Sequence, residues 1–147
     1  MKNIYPPAHF YTYLIIAAGF HFLLPVKQVI YMPYIFLGFI PVIAGVILNL
    51  WADSLFKKLN TTVKPDQKPS ALIDYGPFKF SRNPMYLGMT LMLIGAGILL
   101  GSISSFAGAV FFIAAMEVFF IPEEERTMKE TFGDEFLKYK SKVRRWI

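Results

Sequence analysis

Two short stretches carry side chains able to hold a small charged molecule, and one further residue could hold or move a proton. Arg82, Asn83 and Pro84 stand just before a long apolar run, within GPFKFSRNPMYLG at 76–88. Asn83 is a favourable N-cap and Pro84 suits the first helical position, so a helix is expected to start there. The free N–H groups of its first turn, the positive end of its dipole and the adjacent Arg82 make a compact anion site. Phe78, Phe80 and Tyr86 add flat apolar surface. The second stretch is Glu123, Glu124 and Glu125, directly after Pro122. Three carboxylates amid many cations suit an ammonium or sulfonium. An anion site beside a cation site fits a zwitterion with a planar apolar part, such as an amino-acid nucleoside. Without a ligand, the same residues read as a capped helix start with interfacial aromatics and a solvated, dipole-favoured acidic turn.

Glu117 is the remaining candidate. It lies inside an apolar run, seven residues before Glu124 and so on nearly the same face of a regular helix. An ionisable residue in such a run is a functional candidate by default. It would hold a cationic head group or accept a proton, as an amine acceptor requires. The alternative is a structural carboxylate that reaches interfacial water and a basic partner. His21 and His9 fit helix–helix hydrogen bonding better than catalysis.

The elements that must position these residues are apolar helices. The chain has 147 residues, 55% of them hydrophobic, and no charge at 3–26, 28–52 or 83–116. Uncharged apolar runs of this length read as membrane spans. The third run is too long for one crossing, and GSISS at 101–105 divides it. Four spans are expected, at about 9–25, 31–51, 85–101 and 105–121. A 17-residue span reaches only about 25 Å, slightly short of a bilayer core of about 30 Å. The fold class is therefore all-α and integral to the membrane. Residues 1–51 form a first helical hairpin, 52–84 a loop, 85–121 a second hairpin and 122–147 an amphipathic tail, with Gly133 as a break and Asp134 capping a second segment of that tail. The small residues Gly95, Gly97 and Gly101 let helices approach closely.

Of the basic residues, only Lys27 lies between spans one and two, and none lies between spans three and four. Both termini and the middle loop are thus expected in the cytoplasm. The net charge of +5 describes topology and contact with anionic lipid heads, and gives no case for nucleic acid. The absence of cysteine excludes disulfides, thiolate zinc sites and a cysteine nucleophile. No metal-ligand cluster appears, and no small-x-small cleavage site precedes Lys27. Asn60-Thr61-Thr62 matches a glycosylation triplet but lies on the expected cytoplasmic side. The compact length suggests a prokaryotic plasma membrane.

LIDYGPFKFSRNPMYLG at 72–88, followed by EEERTMKETFGDEFLKYKSKVRRWI at 123–147, resembles the isoprenylcysteine carboxyl methyltransferase and phospholipid methyltransferase superfamily. Three motifs occur in order with matching spacing over roughly residues 60–147, while the first two spans match only as hydrophobic helices. The resemblance implies a methyltransferase that uses S-adenosylmethionine and a lipophilic acceptor, with membrane lipids around it and no obligate protein partner. It implies that Ser70, Ala71, Leu72, Ile73 and Phe78 line the nucleoside. Asn83, Pro84, Met85 and Tyr86 would hold the methionine end with Arg82 close by, and Glu124 would pair with the amino group, beside Glu125. Asn83 replaces a histidine of many members. Phe120 stands where the isoprenylcysteine branch has an arginine tied to its carboxylate acceptor, which leaves a lipid amine as the favoured alternative. A nicotinamide-dependent reductase and a non-enzymatic scaffold or small transporter are the competing classes.

Overall fold

A computed structural model describes residues 6–24, 26–61 and 69–147. Lys2, Lys64, Lys68, Thr62 of the glycosylation triplet and most of the proline-rich loop lie outside the described residues. Six α-helices occur in order: α1 Pro6–Leu23, α2 Phe39–Lys58, α3 Pro84–Leu100, α4 Ala107–Ala115, α5 Ile121–Phe132 and α6 Asp134–Lys142. A 3-10 turn at Tyr34–Gly38 leads into α2, and another at Gly76–Lys79 precedes α3. The described residues contain no strand beyond an isolated antiparallel bridge between Gln28 and Ser102.

Ser104–Phe132 is one continuous helix that includes α4 and α5, joined through a wide π-turn at Met116–Phe120. Within it the Ile121 N–H reaches the Met116 carbonyl, five residues back. Span four was expected to end at 121. It continues because Pro122, which has no N–H to give, falls just after this wide turn, where the regular four-residue bond is already interrupted. Likewise the second span starts at Tyr34 rather than 31 and runs to Lys58. Tyr34–Lys58 and Ser104–Phe132 are both long and apolar enough to cross a membrane, and Ala8–Leu23 and Pro84–Leu100 are shorter apolar helices.

Helix α2 runs antiparallel to α3 along a glycine seam. A Cβ on Gly45 would strike the Gly88 carbonyl, and one on Gly95 would strike the Gly38 carbonyl. Both pairs are seven residues apart, so the two backbones touch over two turns. Helix α1 packs on α4, where Gly108 faces the Tyr13 carbonyl and Ala17. Of the glycines expected to allow close approach, Gly95 lies in the seam and Gly97 faces the Phe106 ring. Gly101 instead ends α3 in the left-handed region, at φ +78°.

At the end of the bundle far from Arg82, two loops are joined. Val29 and Ile30 donate to the Gly101 carbonyl at 2.9 and 3.0 Å, and Ile103 donates to the Lys27 carbonyl at 3.0 Å. His21 Nδ1 and Ser102 Oγ are hydrogen-bonded at 2.8 Å, and Ser105 Oγ donates to the Gly97 carbonyl at 2.9 Å. The apolar core has two parts. One gathers Tyr86, Leu93, Phe112, Met116 and Ile121 between α3 and the long helix. The other gathers Leu55, Ile73, Phe78, Phe136, Tyr139 and Val143 between the end of α2 and α6. Gly133, at φ +51°, separates α5 from α6 as expected. Asp134 is the first residue of α6 and makes no capping bond.

Candidate functional site

The start of α3 is held from both sides. Asn83 occupies the N-cap position with Pro84 after it, yet its side chain makes no capping bond. Its backbone N–H instead donates to Ser81 Oγ at 3.1 Å, and its Nδ2 donates to the Arg145 carbonyl at 3.0 Å. Ser81, 1% exposed, also donates to the Arg145 carbonyl, at 3.3 Å. The expected side-chain cap is thus replaced by a clasp on the C-terminal strap, residues 143–147.

Arg82 completes that clasp. Its backbone N–H donates to the Arg144 carbonyl at 3.0 Å. Its guanidinium donates to the Lys140 carbonyl at 3.1 Å, the Val143 carbonyl at 2.7 Å and Glu125 Oε1 at 2.6 Å. The last carbonyls of a helix have no partner within it, and Arg82 supplies one for α6.

Glu125 is the hub of the charges. Besides Arg82 it accepts from Lys140 Nζ at 2.8 Å and from Arg145 Nε and Nη2, each at 3.1 Å. Burial pushes its carboxyl upward, but the hydrogen bonds from Arg145, Lys140 and Arg82 outweigh burial and hold it at about 2. Arg145 also reaches Glu117, whose other oxygen accepts from Trp146 Nε1 at 3.0 Å. One arginine therefore joins two carboxylates eight residues apart on the same helix. In a regular helix the seven-residue spacing of Glu117 and Glu124 would share a face. The extra residue taken up by the π-turn moves that alignment to Glu117 and Glu125.

Glu124 differs. Among the described residues it pairs with no lysine or arginine, and its carboxylate accepts one side-chain hydrogen bond, from the Tyr86 hydroxyl. Tyr86 is 6% exposed. Glu124 lies past the stretch expected to be in the bilayer. At about 1.5 Å per residue the 29-residue helix is longer than a core of about 30 Å, so its last turns project beyond it. Burial raises the Glu124 carboxyl to about 7, against the lowering effect of the tyrosine bond. A carboxylate that titrates near neutrality and lacks a cation is the group in this cluster with capacity left for one.

A family model described as phospholipid methyltransferase matches residues 33–135, more than half of the chain. The chain belongs to the phospholipid methyltransferase family. The match takes in α2, which the sequence motifs did not reach, and stops at Glu135. An uncharacterized protein of Haemophilus influenzae (strain ATCC 51907 / DSM 11121 / KW20 / Rd) is 40% identical over 63 residues, covering 43% of this chain and 100% of that relative.

The other residues that the family resemblance singled out fall into two groups. Ser70 and Ala71 donate their backbone N–H groups to Thr61 Oγ1, at 3.0 and 3.4 Å. Leu72, Ile73, Phe78 and Met85 join the core between α2 and α6, where the Phe56 ring meets Phe78 edge-on at 5.3 Å. Tyr86 turns to the other core, and buried Pro84 stands before them both. All thirteen candidates therefore lie at one end of this phospholipid methyltransferase family fold. The sequence reading gave no chemistry to Arg145, Trp146, Lys140 or Ser81. Arg145 and Trp146 lie outside the family match. The available signal was the Lys-rich tail ending in RRW, set against Glu117, a carboxylate in an otherwise uncharged run. Among the described residues no cluster of His, Asp or Glu is arranged to hold a metal ion.

Proposed function

We propose that this chain is an integral-membrane methyltransferase that takes S-adenosylmethionine from the cytoplasm and a lipophilic acceptor from the bilayer. In this reading α1, α2, α3 and the α4–α5 helix lie in the membrane with both termini cytoplasmic, and the plasma membrane of a prokaryote is the compartment. The observation that carries it is Glu124: a buried carboxylate without a cation partner, beside the start of α3, in a chain of the phospholipid methyltransferase family. That carboxylate fits the ammonium of an amino-acid nucleoside. Tyr86 orients it.

When bound, the donor supplies a methyl group on a positively charged sulfur. Such a displacement needs alignment above all, so the protein's task is positioning. Ser70, Ala71, Leu72, Ile73 and Phe78 border the apolar side and would take the nucleoside. Pro84 and Met85 would border the methionine end. Arg82 and Asn83 act through the strap that they hold, and Glu125 locks the same strap. Glu117 sits within the apolar part of the long helix, fixed by Arg145 and Trp146. There it would attract a cationic head group or accept the proton of an amine. Phe120, packed edge-on to His9 at 4.8 Å, gives a carboxylate acceptor no counter-charge, which favours a lipid amine.

Calorimetry with S-adenosylhomocysteine on the detergent-solubilised chain tests the donor. Saturable heat that disappears in Glu124→Gln is expected, and no heat from the folded wild type would overturn the assignment. Incubation with labelled donor and extracted lipids then identifies the acceptor.

A further inference from the structure

A second concave surface lies on the outer side of α6, mostly beyond the family match. It is a groove of about 390 Å³ with an apolar floor of Leu72, Tyr139 and Val143. The Tyr139 hydroxyl is already used, donating to the Phe78 carbonyl at 2.7 Å, so the floor offers little polarity. Its walls carry Lys79, Lys138 and Lys142 against Asp74 and Glu135. Three cations face two carboxylates, and among the described residues none of these lysines forms an ion pair. Lys138 and Lys142 stand one turn apart on α6, a like-charge spacing that weakens a helix. An anion between them and Lys79 would relieve that repulsion.

The surroundings indicate the source of the anion. Tyr75 and Phe80, which flank the Gly76–Lys79 turn, are 42% and 67% exposed, and Leu137, beside Lys138, is 43% exposed. Exposed aromatic and aliphatic side chains next to lysines match a water–bilayer boundary, where lysine stems lie along apolar surface and ammonium groups meet head groups. A purely aqueous phosphate would leave those side chains in water.

We propose that this groove binds the phosphate of an anionic glycerophospholipid, as a site separate from methyl transfer. Lys79, Lys138 and Lys142 contact the phosphate, and Leu72 and Val143 meet the glycerol end. The inference rests on the membrane placement proposed above but not on the methyl donor.

The test is native mass spectrometry of the full chain released from mixed micelles of phosphatidic acid and phosphatidylcholine. Wild type should retain one phosphatidic acid in clear preference to phosphatidylcholine. Each single change Lys79→Gln, Lys138→Gln or Lys142→Gln should weaken retention about fivefold, the usual contribution of one basic residue at an anionic surface. The single changes keep the test valid if the triple variant folds poorly. The control K57Q/K58Q/K129Q removes the same charge elsewhere at this end of the molecule and should change retention less than about twofold. Equal loss in the control, or no loss in the lysine variants, would overturn the proposal. Displacement of the lipid by millimolar inorganic phosphate would overturn the lipid source. Failure of the chain to partition into phosphatidylcholine nanodiscs would instead sink the membrane placement, and loss of nucleoside binding alone would leave this site untouched.

Discussion

The two ends of the bundle are closed by different chemistry. At the far end the joints are backbone amides, serine hydroxyls and a histidine, and Lys27 takes part through its carbonyl rather than its ammonium. At the site end the strap is held by Arg82, Arg145, Lys140, Glu125 and Glu117. Most groups in the first set do not titrate near neutrality and have no use for a charged ligand. Those in the second exchange partners when charge arrives. The fold thus fixes one end and leaves the other responsive, and within the responsive end Glu124 and Glu125 divide the work between an open and a closed carboxylate.

The sharpest way to break that comparison is to neutralise each of the neighbours. Glu124→Gln should lower methyl transfer about a hundredfold, equivalent to roughly 3 kcal/mol for a lost charged contact, with the melting temperature unchanged or raised. Glu125→Gln should do the reverse, since it leaves Arg82 and Arg145 without their shared anion. Roughly 3 kcal/mol of stability should be lost, the low end for a broken buried pair because Arg145 and Lys140 are partly exposed. Urea unfolding followed by circular dichroism reads this. If both variants behave alike, the distinction is wrong.

At the far end, Gly101→Ala places a Cβ against the Ile30 carbonyl, at a φ of +78° that alanine resists. A loss of roughly 2–3 kcal/mol is expected, with donor affinity per folded molecule unchanged by calorimetry. Acidity separates the ends more gently. The Glu124 carboxyl is raised, so the unfolded chain ionises first, and stability declines as pH rises from about 4.5 to about 7 and then levels. Donor affinity should rise over the same window, because the ammonium selects the ionised form, and Glu124→Gln should flatten that rise. The Glu125 carboxyl is depressed, so its contribution is present above about 4.5 and lost as pH falls toward 2. The smallest effect is expected from Ser102→Ala, which removes the His21 and Ser104 contacts at about 1 kcal/mol and should leave the pH profile of donor binding intact.

Much of this arrangement was legible in the sequence. The Asn83-Pro84 start, the Gly133 break and the uncharged runs follow from local rules that tertiary contacts did not override. The family motifs brought residues 70–86 and 124–125 to one end. What the sequence hid was ownership. Nothing local says that Asn83 Nδ2 answers a carbonyl sixty-two residues away rather than its own helix, or that Arg145 spans two glutamates. Such pairings depend on where the tail lies, and the tail's period of three to four shows only which face is apolar. The π-turn was equally hidden, because MEVFF reads as ordinary helix and a single Pro122 suggested a stop instead of a change of winding.

That change of winding works as a rotational key. Each residue advances a helix by about 100°, so deleting one, such as the 62% exposed Val118, would restore even winding while keeping the same apolar length. The three-glutamate face would then point about a quarter-turn or more away from Tyr86 and Arg82. A chain of nearly unchanged composition would dock its last two helices out of phase with the rest.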